Sequence, residues 1–392
     1  MKKKRVLIIY ATYGSGHKTV ANYIYNYFNK KGKYEVKVMD IMDYGNIIGN
    51  ISKKVFEQNF KHRSSFVFTT LYKIFDRKST TVGYKSVTRA LFHNKKLKED
   101  IVSYNPDLII ASHFFGATIG GIYNKKGLIN SKIISIITDF KSHELWIKDI
   151  NYMDALIVSN DIVKKELVLN NGIDKRKIYS FGIPISESFS LTSDKEKIKN
   201  KYNFDNNVLN TLKNKYKVNN GKLTFLFFAG GSMGSSFSYE YLKKVLECRY
   251  DINIIFVCGK NERLKEKVNY LVLQEGYKNV MVLGFSNEVN NLLNICDVVI
   301  TKPGGISVTE CLEMKKPMLL IQGNGGQEIY NARFVCFNGY GINCRRPKKL
   351  VWAMNKIIHN RNVLDNMNNK LSKYDTNKSL EKLYKLSESL MR

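Results

Sequence analysis

DVVITKPGGISVTECLEMKKPMLLIQGNGGQEIYNA, residues 297–332, runs through the same local pattern twice. An apolar run, VVITK (298–302), enters Pro303-Gly304-Gly305, and a short helix-like segment with Thr309 and Glu310 follows. A second run, MLLIQ (318–322), enters a glycine-rich loop and then a segment with Gln327, Glu328 and Asn331. Both runs are continuously apolar rather than alternating. That suits strands covered on both faces, hence a parallel sheet flanked by helices. A helix that opens on Pro-Gly-Gly presents backbone N–H groups to an anion. Glu310, one turn in, is placed to accept from two ribose hydroxyls, and Gln327 and Glu328 can bond a sugar ring.

The pattern extends in both directions. TFLFFAG (224–230), INIIFVCG (252–259) and VMVLGF (280–285) complete one series of strands. VLIIY (6–10), VKVMDI (36–41), LIIAS (108–112), IISIIT (133–138), ALIVS (155–159) and IYSFG (178–182) form an earlier one. Between the series lies 190–222, rich in Lys, Asn and Asp. Two βα-repeating halves are therefore expected: an N-terminal domain over 1–189 and a C-terminal domain over 190–363. The leucines of 364–392 predict terminal helices that close the structure. A chain of 392 residues is too long for one ordinary core and supports this count.

Two further loops stand out. ATYGSGHKT follows the first strand and precedes a helix with Val20, Ile24, Tyr27 and Phe28 on one face. Its glycines, Gly14 and Gly16, suit a tight turn, but a turn has no need of His17. On these residues alone a structural turn and a catalytic base both remain open. Thr19 stands where the dinucleotide fingerprint needs glycine. FFAGGSMGSSFSYEYL (227–242) carries Gly231 and Ser232 ahead of a helix and lacks P-loop spacing. ITDFKSHELW (137–146) sets Asp139, His143 and Trp146 at a strand end. Two candidate ligands there are too few for zinc.

Composition narrows the partners. The chain has 63 Lys+Arg against 34 Asp+Glu, a net charge of +29, which attracts phosphates, nucleic acids or anionic lipid. Within 47–98 basic residues interleave with Phe56, Phe60, Phe66, Phe68, Tyr72 and Phe75, and docking on an anionic membrane is expected. No nucleic-acid motif accompanies the charge. All six cysteines lie in the second half, none in a C-x-x-C pair, as expected of buried free thiols. No apolar run reaches the ~20 residues of a spanning helix. The opening MKKKRVLIIY is expected to be a first strand rather than a secretory leader.

Three blocks in order carry a resemblance: GSGHKTVA; TDFKSHELW with GIPI (182–185); and KPGGISVTE with GQEIYNA. Over nearly its whole length the chain resembles the lipid glycosyltransferases that include plant monogalactosyldiacylglycerol synthases and bacterial processive diacylglycerol glucosyltransferases. More distantly it is similar to the transferase that adds N-acetylglucosamine to the peptidoglycan lipid precursor. The resemblance implies an α/β, GT-B fold: two doubly wound Rossmann-like domains facing across a cleft, acceptor domain first and nucleotide-sugar domain second. It implies inverting transfer of glucose or galactose from UDP-glucose or UDP-galactose to diacylglycerol by a protein peripheral to the inner face of the cell membrane. Processivity stays open. No metal or other cofactor is implied, and the sequence has no D-x-D triplet to hold one. By the same resemblance His17 is the general base. Gly16, Gly231, Ser232, Gly304, Gly305, Thr309, Glu310, Gln327, Glu328 and Asn331 meet or support the donor, and Asp139, His143 and Trp146 lie on the acceptor side. Transfer of N-acetylglucosamine to a polyprenyl-linked acceptor, and a non-catalytic UDP-sugar-binding role, are the alternatives. Ser15 stands where many members have glycine, and is small enough to keep the turn.

Overall fold

The computed structural model describes residues 3–12, 15–44, 88–89, 91–189, 206–219, 221–230, 237–321, 326–375 and 378–392. The basic-aromatic stretch 47–98 is outside these except for 88–89 and 91–98.

The described chain forms two all-parallel sheets. The first contains β1 (Arg5–Tyr10), β2 (Glu35–Asp40), β3 (Leu108–Ala111), β4 (Lys132–Ile136), β5 (Ala155–Ile157) and β6 (Ile178–Tyr179), in the order β2-β1-β3-β4-β5-β6. The second contains β7 (Thr224–Phe228), β8 (Asn253–Val257), β9 (Val280–Leu283), β10 (Val298–Thr301), β11 (Met318–Leu320) and β12 (Gly341–Asn343), in the order β12-β11-β10-β7-β8-β9. Every run expected to be a strand is one. The central strands β3, β8, β10 and β11 are buried along their full length, as their unbroken apolar sequence requires.

Helices of the first sheet include α1 (Ser15–Lys31), α2 (Lys95–Tyr104), α3 (Phe114–Lys125), α4 (Glu144–Ile147) and α5 (Asp161–Asn171). Those of the second are α6 (Asn206–Lys215), α7 (Ser238–Leu246), α8 (Glu262–Gln274), α9 (Val289–Ile295), α10 (Gly305–Glu313), α11 (Gln327–Phe337), α12 (Pro347–His359) and α13 (Arg361–Ser372). α1 buries Val20, Ile24, Tyr27 and Phe28, the face its spacing predicts. α3 lies unusually close to its sheet. A Cβ on Gly116 would stand 2.9 Å from the Cβ of Ile9, and one on Gly120 would stand 2.8 Å from Cδ1 of Ile109.

The chain divides into two compact units. One comprises Met1–Glu187, Asn324–Tyr330 and Asn377–Arg392; the other comprises Ser188–Gly323 and Asn331–Thr376. The two terminal helices part company. α13 is in the second unit, whereas the last helix, α14 (Ser379–Leu390), packs on the first. There the Tyr384 ring meets those of Phe28 (4.9 Å), Tyr34 (5.7 Å) and Tyr27 (5.9 Å). Lys33 pairs with Glu388 at 2.7 Å, and the Ser379 hydroxyl donates to the Ile183 carbonyl.

Four of the cysteines, Cys258, Cys296, Cys311 and Cys344, are buried, and all six are free. Among the described residues no helix is long and apolar enough to cross a membrane, and no group of three His, Cys, Asp or Glu is placed to hold a metal.

Candidate active site

Each sheet has one place where its strand order reverses, and there the loops leaving two neighbouring strands diverge to leave a crevice. In the first sheet that place lies between β1 and β3. The loop after β1 delivers His17 into the first turn of α1, and β3 runs directly into Ser112 and His113. The two are locked together. Nδ1 of His17 is 2.6 Å from the Ser112 carbonyl, while the Ser112 hydroxyl donates to the His17 carbonyl at 2.9 Å. A carbonyl only accepts, so Nδ1 carries the proton and Nε2 keeps its lone pair. The Thr138 hydroxyl, at the end of β4, stands 3.3 Å from the same Nδ1.

Around this imidazole lie rings. His113 meets His17 edge-on at 4.8 Å, and Trp146 lies 6.2 Å away. Phe114 lies 5.8 Å from His143 and 5.6 Å from Trp146. Burial pushes His17 down to about 4, with the Ser112 carbonyl acting in the opposite direction. Burial, then repulsion from the neighbouring His17 when that ring is protonated, takes His143 to about 3. His113 is held well below the ordinary imidazole range by burial and by its two histidine neighbours. All three are therefore neutral near pH 7. Asp139 is buried three residues past the end of β4. Trp146 is only 1% exposed, and its indole N–H is buried with no hydrogen-bond partner among the described residues. Such an orphaned donor costs ~1–3 kcal/mol unless a bound molecule accepts from it.

The second sheet reverses between β7 and β10. Gly230 leaves β7, and Lys302 leaves β10 beside it. Gly230 has φ +106°, and a Cβ there would stand 2.7 Å from Cε of Lys302, so only glycine fits. Lys302 is 6% exposed, with its ammonium 4.8 Å from the centre of the Phe237 ring. α10 then starts at Gly305. Its N-cap, Gly304, has no side chain with which to accept from the first turn, and a Cβ on Gly304 would meet nothing within 4 Å. An uncapped helix start with a buried lysine three residues before it is an arrangement that favours an anion.

The remaining expected donor residues lie on α10 and α11. Thr309 is buried and its hydroxyl donates to the Gly305 carbonyl at 2.7 Å, so it holds its own helix. Glu310 is half-buried on α10. Gln327 and Glu328 are half-buried in the first turn of α11. Asn331 is fully buried and its Nδ2 donates to the Pro303 carbonyl at 3.0 Å, which ties α11 to the Pro-Gly-Gly loop. Gly231 and Ser232 lie outside the described residues, while Gly16 sits beside His17 in α1. Sequence reasoning missed Ser112, His113, Phe114 and Lys302. Ser112 and Lys302 are the last residues of the runs LIIAS and VVITK, and His113 and Phe114 follow the first of these; a polar residue closing an apolar run was the available signal.

Residues 17–185 match the family described as monogalactosyldiacylglycerol (MGDG) synthase, and residues 212–378 match glycosyl transferases group 1. A processive diacylglycerol beta-glucosyltransferase of Bacillus cereus (strain AH187) is 30% identical over 339 residues, 85% of this chain and 80% of the relative. The chain belongs to the MGDG synthase family of glycosyltransferases. A second member, the processive diacylglycerol beta-glucosyltransferase of Bacillus pumilus (strain SAFR-032), is 28% identical over 93% of this chain and 89% of its own length. Among solved structures, Acinetobacter baumannii MurG matches with a TM-score of 0.63 at 14% identity, over 98% of this chain and 99% of its own. The S. aureus MnaA–UDP structure matches with the same score, 0.63, at 14% identity, over 97% and 95%. At that identity the likeness speaks for the fold alone. The GT-B architecture expected of the MGDG synthase family is borne out.

Proposed function

We propose that this glycosyltransferase moves glucose or galactose from a UDP-sugar to diacylglycerol with inversion at the sugar carbon. The observation that carries the reading is His17, whose Nδ1–H is held by the Ser112 carbonyl so that Nε2 can accept a proton. The 3-hydroxyl of diacylglycerol gives its proton to Nε2 as its oxygen forms the new bond to the anomeric carbon. The bond from that carbon to the diphosphate oxygen breaks, and UDP departs with the electron pair. Held neutral by burial, His17 is in the form that accepts. Its depressed basicity rises when an anionic donor is bound nearby. Thr138 and Ser112 orient the ring; Asp139, His143 and Trp146 line the acceptor side.

The donor is assigned to the second sheet's crevice. The N–H groups at the start of α10 and the ammonium of Lys302 meet the diphosphate, supplying the positive charge the leaving group needs. Gly304 and Gly305, with Gly231 and Ser232, let the backbone approach it. Glu310 accepts from the ribose hydroxyls, Gln327 and Glu328 bond the hexose, and Asn331 holds the Pro-Gly-Gly loop. Thr309 serves this end of α10 through its backbone bond. No cofactor is invoked beyond the UDP-sugar co-substrate. The relatives named for diacylglycerol, the net charge of +29 and the basic-aromatic stretch 47–98 support docking on the inner face of the cell membrane.

The test is transfer from radiolabelled UDP-glucose and UDP-galactose, separately, to diacylglycerol in anionic liposomes, with His17→Ala beside the unaltered protein. A labelled lipid lost in the variant is expected. Absence of product from both donors while UDP still binds would overturn the diacylglycerol assignment.

A further inference from the structure

A cavity of about 360 Å³ opens at the opposite, amino end of the second sheet. It is reached at Thr224, where β7 begins, and at Asp297, just before β10. Four cationic side chains from four separate places in the chain line it. They are Lys213 on α6, Lys222 before β7, Lys316 between α10 and β11, and Arg361 at the first position of α13.

Several acceptors nearby are already engaged. Asp297, the only carboxylate among the described lining residues, accepts from the Thr224 N–H at 2.7 Å. The carbonyls of Asn294 and Cys296 accept from the Lys316 ammonium at 3.4 and 2.8 Å. Asp251, outside the cavity, pairs with Lys222. Among the described residues no carboxylate pairs with Arg361.

Like charges gathered round a concavity repel one another. The concave arrangement sums their field in the space between them. A cation is excluded from such a place and a purely apolar ligand gains little, whereas a dianion relieves the repulsion and accepts charge-assisted hydrogen bonds. Arg361 offers a planar fork, and the lysines offer point charges, a combination suited to phosphate oxygens. We propose that this cavity is a second anion site, separate from the α10 loop, that takes a phosphate monoester. The phosphate could be borne by a small soluble polyol or by a lipid headgroup.

Equilibrium dialysis of the full chain with radiolabelled inorganic phosphate and with glycerol 3-phosphate tests this, UDP being present at saturation so that the α10 loop is filled. Vesicles of phosphatidic acid in phosphatidylcholine form the second arm. The double variant Lys213→Gln/Arg361→Gln is compared with Lys244→Gln, which removes a surface lysine elsewhere. UDP titration and a melting curve confirm that each variant is folded. Saturable phosphate binding that weakens at least tenfold in the double variant, and not in Lys244→Gln, is expected. Binding confined to phosphatidic acid vesicles, with the same loss in the double variant, supports the site with a headgroup as the source. No saturable binding in either arm, or binding equal in the double variant and the unaltered protein, overturns it. Because UDP affinity is read independently, failure here leaves the donor assignment standing.

Discussion

The His17 ring is held at Nδ1 by the Ser112 carbonyl, with the Thr138 hydroxyl beside it, and that dictates what its loss should do. Its neighbours Ser112 and Thr138 position the ring. His17→Ala should lower kcat by ~10²–10⁴ while leaving UDP affinity near its original value. Steady-state rates and a UDP titration on the same preparation check both halves. Acid should also act through this cluster. His17 at about 4 and His143 at about 3 lie below the 6.5 of an unfolded imidazole, and His113 shifts the same way. The unfolded chain therefore binds more protons than the folded one once pH drops below 6.5. Stability should be flat above that pH and decline as pH falls through the window towards 4. Melting temperatures across the range should show this, and His143→Phe should flatten the decline.

Between elements, two contacts bear the load of placing the site. α3 approaches β1 through Gly116, so Gly116→Val forces its branched side chain onto Ile9 and should cost about 1–3 kcal/mol by urea unfolding. Asn331→Ala leaves the Pro303 carbonyl without its donor, at a cost of ~1–3 kcal/mol, and should weaken UDP binding by loosening the start of α10. These contacts also show where the sequence was readable. Buried strands announce themselves by composition, so all eleven apolar runs are strands. β12 was missed because Gly341 reads as a turn. It is glycine because a Cβ there would fall 2.2 Å from the Met318 carbonyl oxygen, a closeness only the folded sheet reveals. The glycine loops and His17 were legible for the same local reason. Ser112 and His113 were not, because they reach His17 only once β3 has paired with β1 across some hundred residues of chain. Lys302 was hidden inside a run that reads as the end of a strand.

Across the whole molecule, charge and the course of the chain matter most. With a net charge of +29, the proposed association with anionic vesicles should be strongly salt-dependent and fall steeply as ionic strength shortens the Debye length to about 8 Å at physiological salt. Sedimentation with vesicles over a salt series measures it, and neutral vesicles should show no such slope. The return of α14 to the first unit predicts that ending the chain at residue 376 strips the cover from Tyr27, Phe28 and Tyr34. Leu380, Leu383 and Leu386 are buried there, so the loss should be on the order of 3 kcal/mol or more, read from the denaturant midpoint.

That returning helix has a consequence during synthesis. A ribosome that has made the first sheet must still translate roughly 200 residues before Ser379–Leu390 emerges, which takes about 10–40 s at ~5–20 residues per second. Throughout that interval the nascent first unit carries an unsealed aromatic patch, while every strand of the second sheet is translated before the seal arrives. The half of the protein that is made first is the last to be finished.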